Sequence, residues 1–197
     1  MKRNTPPLIL ASSSPRRKEL LQEAGYTFTI KIPDVDEEAF TEANFTPKKH
    51  AEQLALTKAD SIAKECPDAL IIGADTVVDL NGRMIGKPKD ADDARNILNK
   101  LSSSIHKVIT GLALICVSGD IKIVRSDSTT IYPRKMTESQ IDKVIKSGLW
   151  RNKSGACSIE DFGAFVEKIE GSLTNVMGLP LELLHQSLKE INYPKES

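Results

Sequence analysis

Apolar and polar positions along the chain switch repeatedly between two periods, and the switches mark the elements. Leu8-Ile9-Leu10-Ala11 is a short unbroken apolar run, the pattern of a buried strand. It passes through Ser12-Ser13-Ser14 into a helical segment that carries Leu20-Leu21 and stops at Gly25, with Ser14 as N-cap and Pro15 as first helical residue. Tyr26 to Ile32 alternates, which predicts a strand leaving the core and ending in the acidic run Asp34 to Glu38. From Thr46-Pro47 a second helix keeps Ala51, Leu54, Ala55, Ala59, Ile62 and Ala63 on one stripe until Cys66-Pro67 ends it. Ala69 to Ala74 then reads as a fully buried strand with Asp75 at its end. A hairpin follows, Val77 to Leu80 and Arg83 to Ile85, around a type I′ turn at Asn81-Gly82.

Further on, Asp90 to Leu101 predicts a third helix with Ala94, Ile97, Leu98 and Leu101 inward, and Lys107 to Val117 and Ile121 to Tyr132 predict two long strands joined at Ser118-Gly119-Asp120. Thr137-Glu138-Ser139-Gln140 has the form of a capping box opening a fourth helix. A strand around Phe165 to Ile169 and a last helix after Gly178-Leu179-Pro180, apolar at Leu181, Leu184 and Leu188, complete the series. No repeat, low-complexity tract or linker interrupts it. The expectation is one α/β unit over residues 1–197, built on a single elongated mixed sheet.

Composition narrows the function classes. The 197 residues include 27 Lys+Arg and 27 Asp+Glu, a balance that argues against a general binder of nucleic acids or anionic membranes. Any phosphate recognition must be local. No apolar run approaches the ~20 residues of a membrane span, and Leu8 to Ala11 is too short for a signal-peptide core. Cys66, Cys116 and Cys157 lack a metal-ligand spacing and suit a reducing compartment. These features predict a soluble cytoplasmic protein with neither nucleic acid nor membrane as partner.

Ser12-Ser13-Ser14-Pro15-Arg16-Arg17 is the strongest local chemical signal. Unpaired N–H groups and the dipole at a helix start attract anions, and hydroxyls with two guanidiniums extend that site toward a polyphosphate. Read alone, the segment is equally an N-cap followed by solvated arginines. Asp75, after an apolar strand, stands where α/β sheets place ligands, and a carboxylate there can hold a metal or deprotonate water; it is otherwise a turn-capping aspartate. Gly82 to Lys87 is not a Walker A loop, with three residues between its glycines and proline after the lysine, although Lys87 still offers a point charge. The acidic run by itself is a solvated face, yet opposite a phosphate site one of its carboxylates could share Mg²⁺ with Asp75. Lys58 interrupts the small-residue stripe of the second helix, and on pattern alone it is a snorkelling surface lysine. Neither a G-x-S-x-G motif nor a histidine cluster supports an acyl-transfer triad.

Taken in order, these segments resemble the Maf family of nucleoside triphosphate pyrophosphatases. The resemblance runs through Leu10 to Leu21, Val35-Asp36-Glu37, Lys58-Ala59, Ile72 to Val78, Gly86-Lys87-Pro88, His106 to Gly111, and Gly171-Ser172 to Leu181, almost the whole chain. It implies an elongated, bent mixed β-sheet flanked by helices, with two lobes around a cleft as in the inosine-triphosphate pyrophosphatases, and a homodimer. The implied reaction is hydrolysis of the α–β phosphoanhydride of a nucleoside triphosphate, giving the monophosphate and pyrophosphate with Mg²⁺ or Mn²⁺, a house-cleaning activity toward noncanonical nucleotides.

By the same resemblance Asp75 is the proton acceptor, Glu37 a metal or water partner, and Arg16, Lys58 and Lys87 are phosphate-side cations. Ser12, Ser14, Arg16, Arg17, Thr76 and Glu160 contact the substrate. Arg16 and Thr76 match the dTTP/UTP type, but Glu160 stands where that type has glutamine and the 7-methyl-GTP type has glutamate, and Cys157-Ser158 replaces the usual Tyr-Gly. An amide both donates and accepts at a base edge, whereas an ionised carboxylate only accepts. The expectation is therefore a dTTP/UTP-type enzyme. The alternatives are a 7-methyl-GTP-type pyrophosphatase and a nucleotide-responsive binding protein affecting cell division with little turnover.

Overall fold

The computed structural model describes residues 5–37, 45–151, 153–159 and 163–194. In chain order the elements are β1 (Leu8–Ala11), α1 (Pro15–Glu23), β2 (Thr29–Lys31), α2 (Pro47–Ala63), β3 (Leu70–Leu80), β4 (Arg83–Ile85), α3 (Ala91–Ser102), β5 (His106–Cys116), β6 (Ile121–Pro133), α4 (Glu138–Ser147), β7 (Val166–Glu170), the one-turn α5 (Leu173–Val176) and α6 (Leu181–Glu190). The strands form one seven-stranded mixed sheet in the order β2-β1-β3-β5-β6-β7, with β4 also paired to β3. β2, β1 and β3 run parallel, and the remaining pairs are antiparallel. Helices cover the sheet, so the expected mixed α/β architecture is present.

Local chemistry sets the element ends. Ser14, Thr46, Asp90 and Thr137 each accept a backbone N–H from the first turn of the helix they precede, and Thr137 and Gln140 complete a reciprocal capping box. Such caps contribute roughly 1 kcal/mol each. Asn81 and Gly82 both have positive φ, 54° and 81°, as a type I′ hairpin turn requires.

Two elements differ from expectation. The alternating segment from Tyr26 to Ile32 pairs only over Thr29–Lys31, because its partner β1 is four residues long and Tyr26 and Phe28 pack against the core instead. The second difference places the chemistry. β3 is one continuous eleven-residue strand, so Asp75 lies at its centre rather than at its end. β5 pairs with it without interruption from Ile71 to Asp79. Its other edge is divided between two short partners, β1 up to Gly73 and β4 from Val78. Ala74–Val77 therefore have no ladder partner on that edge among the described residues. Asp75 lies beyond the carboxyl end of β1, and the sheet has a gap beside it.

The two faces of β3 are packed differently. Towards α2, a Cβ on Gly73 would stand 2.2 Å from the Ala55 carbonyl oxygen, and one on Gly111 would stand 2.2 Å from that of Ala51. Only hydrogen at both positions lets the helix backbone rest on the strands, and Ala51, Ala55 and Ala59 complete that contact with no exposure. On the opposite face, Leu70, Ile72 and Ala74 join Leu20, Leu21, Leu184 and Leu188 in one core. Farther along the strand Val78 joins Leu98, Leu101, Ile141 and Trp150 in another. Thr76 and its cross-strand partner Thr110 lie between these cores. The polar interval separates the two lobes, and the cleft opens there.

Candidate active site

Helix α2 carries Lys58 to the gap. Because Gly73 and Gly111 draw the helix close, the lysine is 5% exposed, and its Nζ lies 2.8 Å from Asp75 Oδ1 and 2.7 Å from Glu37 Oε1. The surface reading of Lys58 is thus incorrect: its helical position faces the sheet, and the buried ammonium is paired with two carboxylates. Lys87, between β4 and α3, reaches the other oxygen of Glu37 at 3.3 Å. Burial pushes the Glu37 carboxyl up, but hydrogen bonds and charge from Lys58 and Lys87 outweigh that and leave it below the usual glutamate range. Lys58 donates to Asp75 Oδ1, and Oδ2 has no hydrogen-bond partner among the described residues.

The α1 start supplies a second group. Ser12 Oγ accepts the Ser14 N–H at 3.2 Å, and Ser14 Oγ accepts the Arg17 N–H at 3.4 Å. The two arginines diverge from there. Arg16 pairs with Glu19 at 2.8 Å along the outer face of the helix, while still lining the cleft. Arg17 points inward, donating from Nε to the Gly178 carbonyl at 2.7 Å and from its two terminal nitrogens to Ser12 Oγ and Thr76 Oγ1. Burial lowers the affinity of this guanidinium for its proton, against the opposing charges of Asp75 and Glu37.

The network beyond Arg17 has a fixed direction. Thr110 donates to the Asn175 carbonyl at 2.9 Å, so it accepts from Thr76, which itself accepts from Arg17. The fully buried Asn175 side chain donates to the Val108 carbonyl and to Thr129 Oγ1, both at 2.9 Å, fastening α5 across β5 and β6. That anchor sets the position of Val176, Met177 and Gly178, which form a wall of the site.

Two adjoining cavities result. The larger, about 1000 Å³, contains Ser12, Ser14, Arg16, Arg17, Glu37, Lys58, Asp75, Thr76 and Lys87 on its walls, together with Arg151 and Lys153. The smaller, about 230 Å³, opens from it past Thr76 and Arg17 and is lined by Val78, Leu101, Val108, Ile131, Val176 and Met177, with His106, Cys157 and Ser158. Burial holds the His106 imidazole below its ordinary range, against the carbonyls of Ser104 and Leu101. All the site residues read from the sequence and described here converge on the cleft; Glu160 lies outside the described residues. Sequence reasoning did not identify the Asn175 anchor, the cations Arg151 and Lys153, or the apolar cavity. The Gly171-Ser172 segment offered a signal for the first, since Ser172 caps α5, whereas the apolar cavity is assembled from separate segments with no shared pattern.

Among the described residues, no three His, Cys, Asp or Glu side chains are grouped as a metal cage, and no helix is long and apolar enough to cross a membrane. A family model for Maf-like proteins matches residues 7–191. The chain is 41% identical to a dTTP/UTP pyrophosphatase of Ruminiclostridium cellulolyticum, covering 94% of this chain and 96% of that one. It is 45% identical to one of Alkaliphilus metalliredigens, covering 91% and 95%. Among solved structures, a HAM1 protein from Coxiella burnetii aligns with a TM-score of 0.46 at 14% identity, over 94% of this chain and 99% of that one. A nucleoside-triphosphatase / dITP/XTP pyrophosphatase from Mycobacterium abscessus aligns with a TM-score of 0.42 at 14% identity, over 94% of each.

Proposed function

This chain belongs to the Maf-like protein family, and on that premise we propose that it hydrolyses nucleoside triphosphates between the α and β phosphates, with dTTP and UTP as preferred substrates. The observation that carries the reading is the Lys58–Asp75–Glu37 cluster at a sheet gap, facing the start of α1 across a cleft that continues into an apolar pocket. The larger cavity suits a triphosphate and the smaller a base.

In this mechanism Ser12, Ser14 and the α1 N-terminus receive phosphate oxygens, joined by Arg16, Lys58 and Lys87. Arg17 has three of its N–H groups committed to the protein, so it holds the Thr76 wall in place and offers its remaining donors to the substrate. Asp75, kept oriented by Lys58 at Oδ1, accepts a proton from water at Oδ2 as that water attacks the α-phosphorus. The bond to the bridging oxygen breaks, pyrophosphate leaves, and the products are nucleoside monophosphate and pyrophosphate. Cationic groups around the phosphates stabilise the charge that develops.

The donor set also fits a divalent cation such as Mg²⁺ or Mn²⁺, since Glu37 and Asp75 present hard carboxylate oxygens close enough for one ammonium to bridge. When bound, such an ion supplies charge neutralisation to the phosphates and polarises water.

The test is a panel of dTTP, UTP, CTP, 7-methyl-GTP and modified pyrimidine triphosphates with Mg²⁺ or Mn²⁺, separating pyrophosphate from orthophosphate. Pyrophosphate release fastest with dTTP or UTP is expected. Orthophosphate alone, or tight binding without turnover, would refute the activity. A preference for 7-methyl-GTP would transfer the base assignment to the type that Glu160 resembles.

A further inference from the structure

We propose that the free protein excludes divalent cations from this cleft and admits them only with the nucleotide, because the Lys58 ammonium occupies the place between Glu37 and Asp75 that a cation would fill. The proposal rests on the pyrophosphatase reading above. Lys58 Nζ lies within 2.7 and 2.8 Å of an oxygen of each carboxylate, so the pair is already bridged by a positive charge. In the nucleotide-free protein Lys58 is held in that place. Its side chain is 7% exposed, and its helix is held against β3 and β5 by the backbone contacts at Gly73 and Gly111.

The charge around the pair points the same way. Lys58 faces both Glu37 and Asp75, Lys87 faces Glu37, and Arg17 stands close enough to sense both carboxylates. Two negative charges are thus met by three positive ones. Among the described residues no third metal-ligating side chain joins the carboxylates. Mg²⁺ commonly satisfies its octahedral shell with one or two carboxylates plus substrate phosphates and water. A triphosphate supplies those missing oxygens and gives Lys58 and Lys87 another anion to face, which frees the carboxylates. Lys58 therefore holds the two acids spaced before substrate arrives, and makes metal entry depend on the phosphates.

The experiment counts Mn²⁺ by its electron paramagnetic resonance signal, with wild-type protein alone, with wild-type protein plus a nonhydrolysable α,β-imido analogue of dTTP, and with Lys58→Gln alone. Wild type with the analogue is expected to hold one Mn²⁺ at least about tenfold more tightly than wild type alone, and Lys58→Gln alone to gain a similar factor over wild type, since one repelling charge is gone. Stoichiometric Mn²⁺ uptake by nucleotide-free wild type, as tight as with the analogue, would overturn the proposal. So would equal affinities for wild type and a Lys58→Gln variant of native circular dichroism; if that variant does not fold, the two wild-type arms decide alone. Pyrophosphate release is measured on the same wild-type preparation, so loss of the pyrophosphatase reading appears in a different readout.

Discussion

The larger cavity and the smaller one meet at Thr76 and Arg17, yet they are built in different ways. Polar and charged groups of the larger cavity come mostly from regular elements or their ends: Asp75 from the middle of β3, Lys58 from the middle of α2, Ser14 and Arg17 from the start of α1. Backbone contacts at two glycines fix the spacing of the first two. The smaller cavity has apolar side chains of β3, β5, β6 and α3 as its floor, and closes with Lys153 to Ile159 and Val176 to Gly178, which are largely loop. On the proposed reading, the proton-accepting carboxylate and its lysine thus stand on rigid elements, with Glu37 and Lys87 brought to them by connecting segments, while the part assigned to the base is closed largely by loop.

That division can be tested by substitution. Asp75→Asn should reduce turnover by about 10²–10⁴-fold with every nucleotide, the usual contribution of a general base, while thermal unfolding stays close to wild type. Wild-type-like pyrophosphate release in this variant would remove Asp75 from the mechanism. Lys87→Ala should lower kcat/KM by roughly tenfold, as expected for one partly exposed charged contact, and by the same factor for dTTP, UTP and CTP. A loss confined to one base would break the distinction between the cavities.

Cys157→Tyr, by contrast, should alter the ranking of nucleotides, chiefly through KM and by roughly tenfold or less, because bulk is added to the smaller cavity away from Asp75. Glu160→Gln should move the ranking further toward dTTP and UTP, and an unchanged ranking would show that Glu160 does not set the base. The smallest effect concerns pH. Burial holds folded His106 below its ordinary value of 6.5, so the unfolded chain takes up the proton first as pH falls. The stability associated with neutral His106 is complete above that value and declines from about pH 6.5 down to the depressed folded value. Denaturant midpoints measured across this window should fall more steeply for wild type than for His106→Gln; parallel slopes would count against it.

Most of the larger cavity was legible in the sequence, whereas of the smaller little beyond Thr76 and the Cys157-Ser158 segment was, for a physical reason. Helix caps and arginines at a helix start are local patterns, and each of them survives folding as written. Lys58 was half legible: its stripe gave the helix, but only the close approach permitted by Gly73 and Gly111 turned a surface lysine into a buried one. The position of Asp75 within β3 was misjudged because strand continuity depends on a partner. The unbroken β5 ladder carries β3 past the point where β1 ends, and a sequence window does not contain that partner. The apolar cavity draws on Val78, Val108, Ile131 and Val176, which read as ordinary core positions.

The interrupted edge of β3 has a consequence for solubility as well as for catalysis. An open strand edge is a template on which another chain can add a strand, and proteins commonly cover or charge such edges. Here the open stretch is confined to Ala74–Val77 by β1 on one side and β4 on the other. An intruding strand would find only these four residues free, and it would meet the charged cluster at Asp75. The break in the sheet is short and lined by charge, which discourages strand addition at the mouth of the cleft.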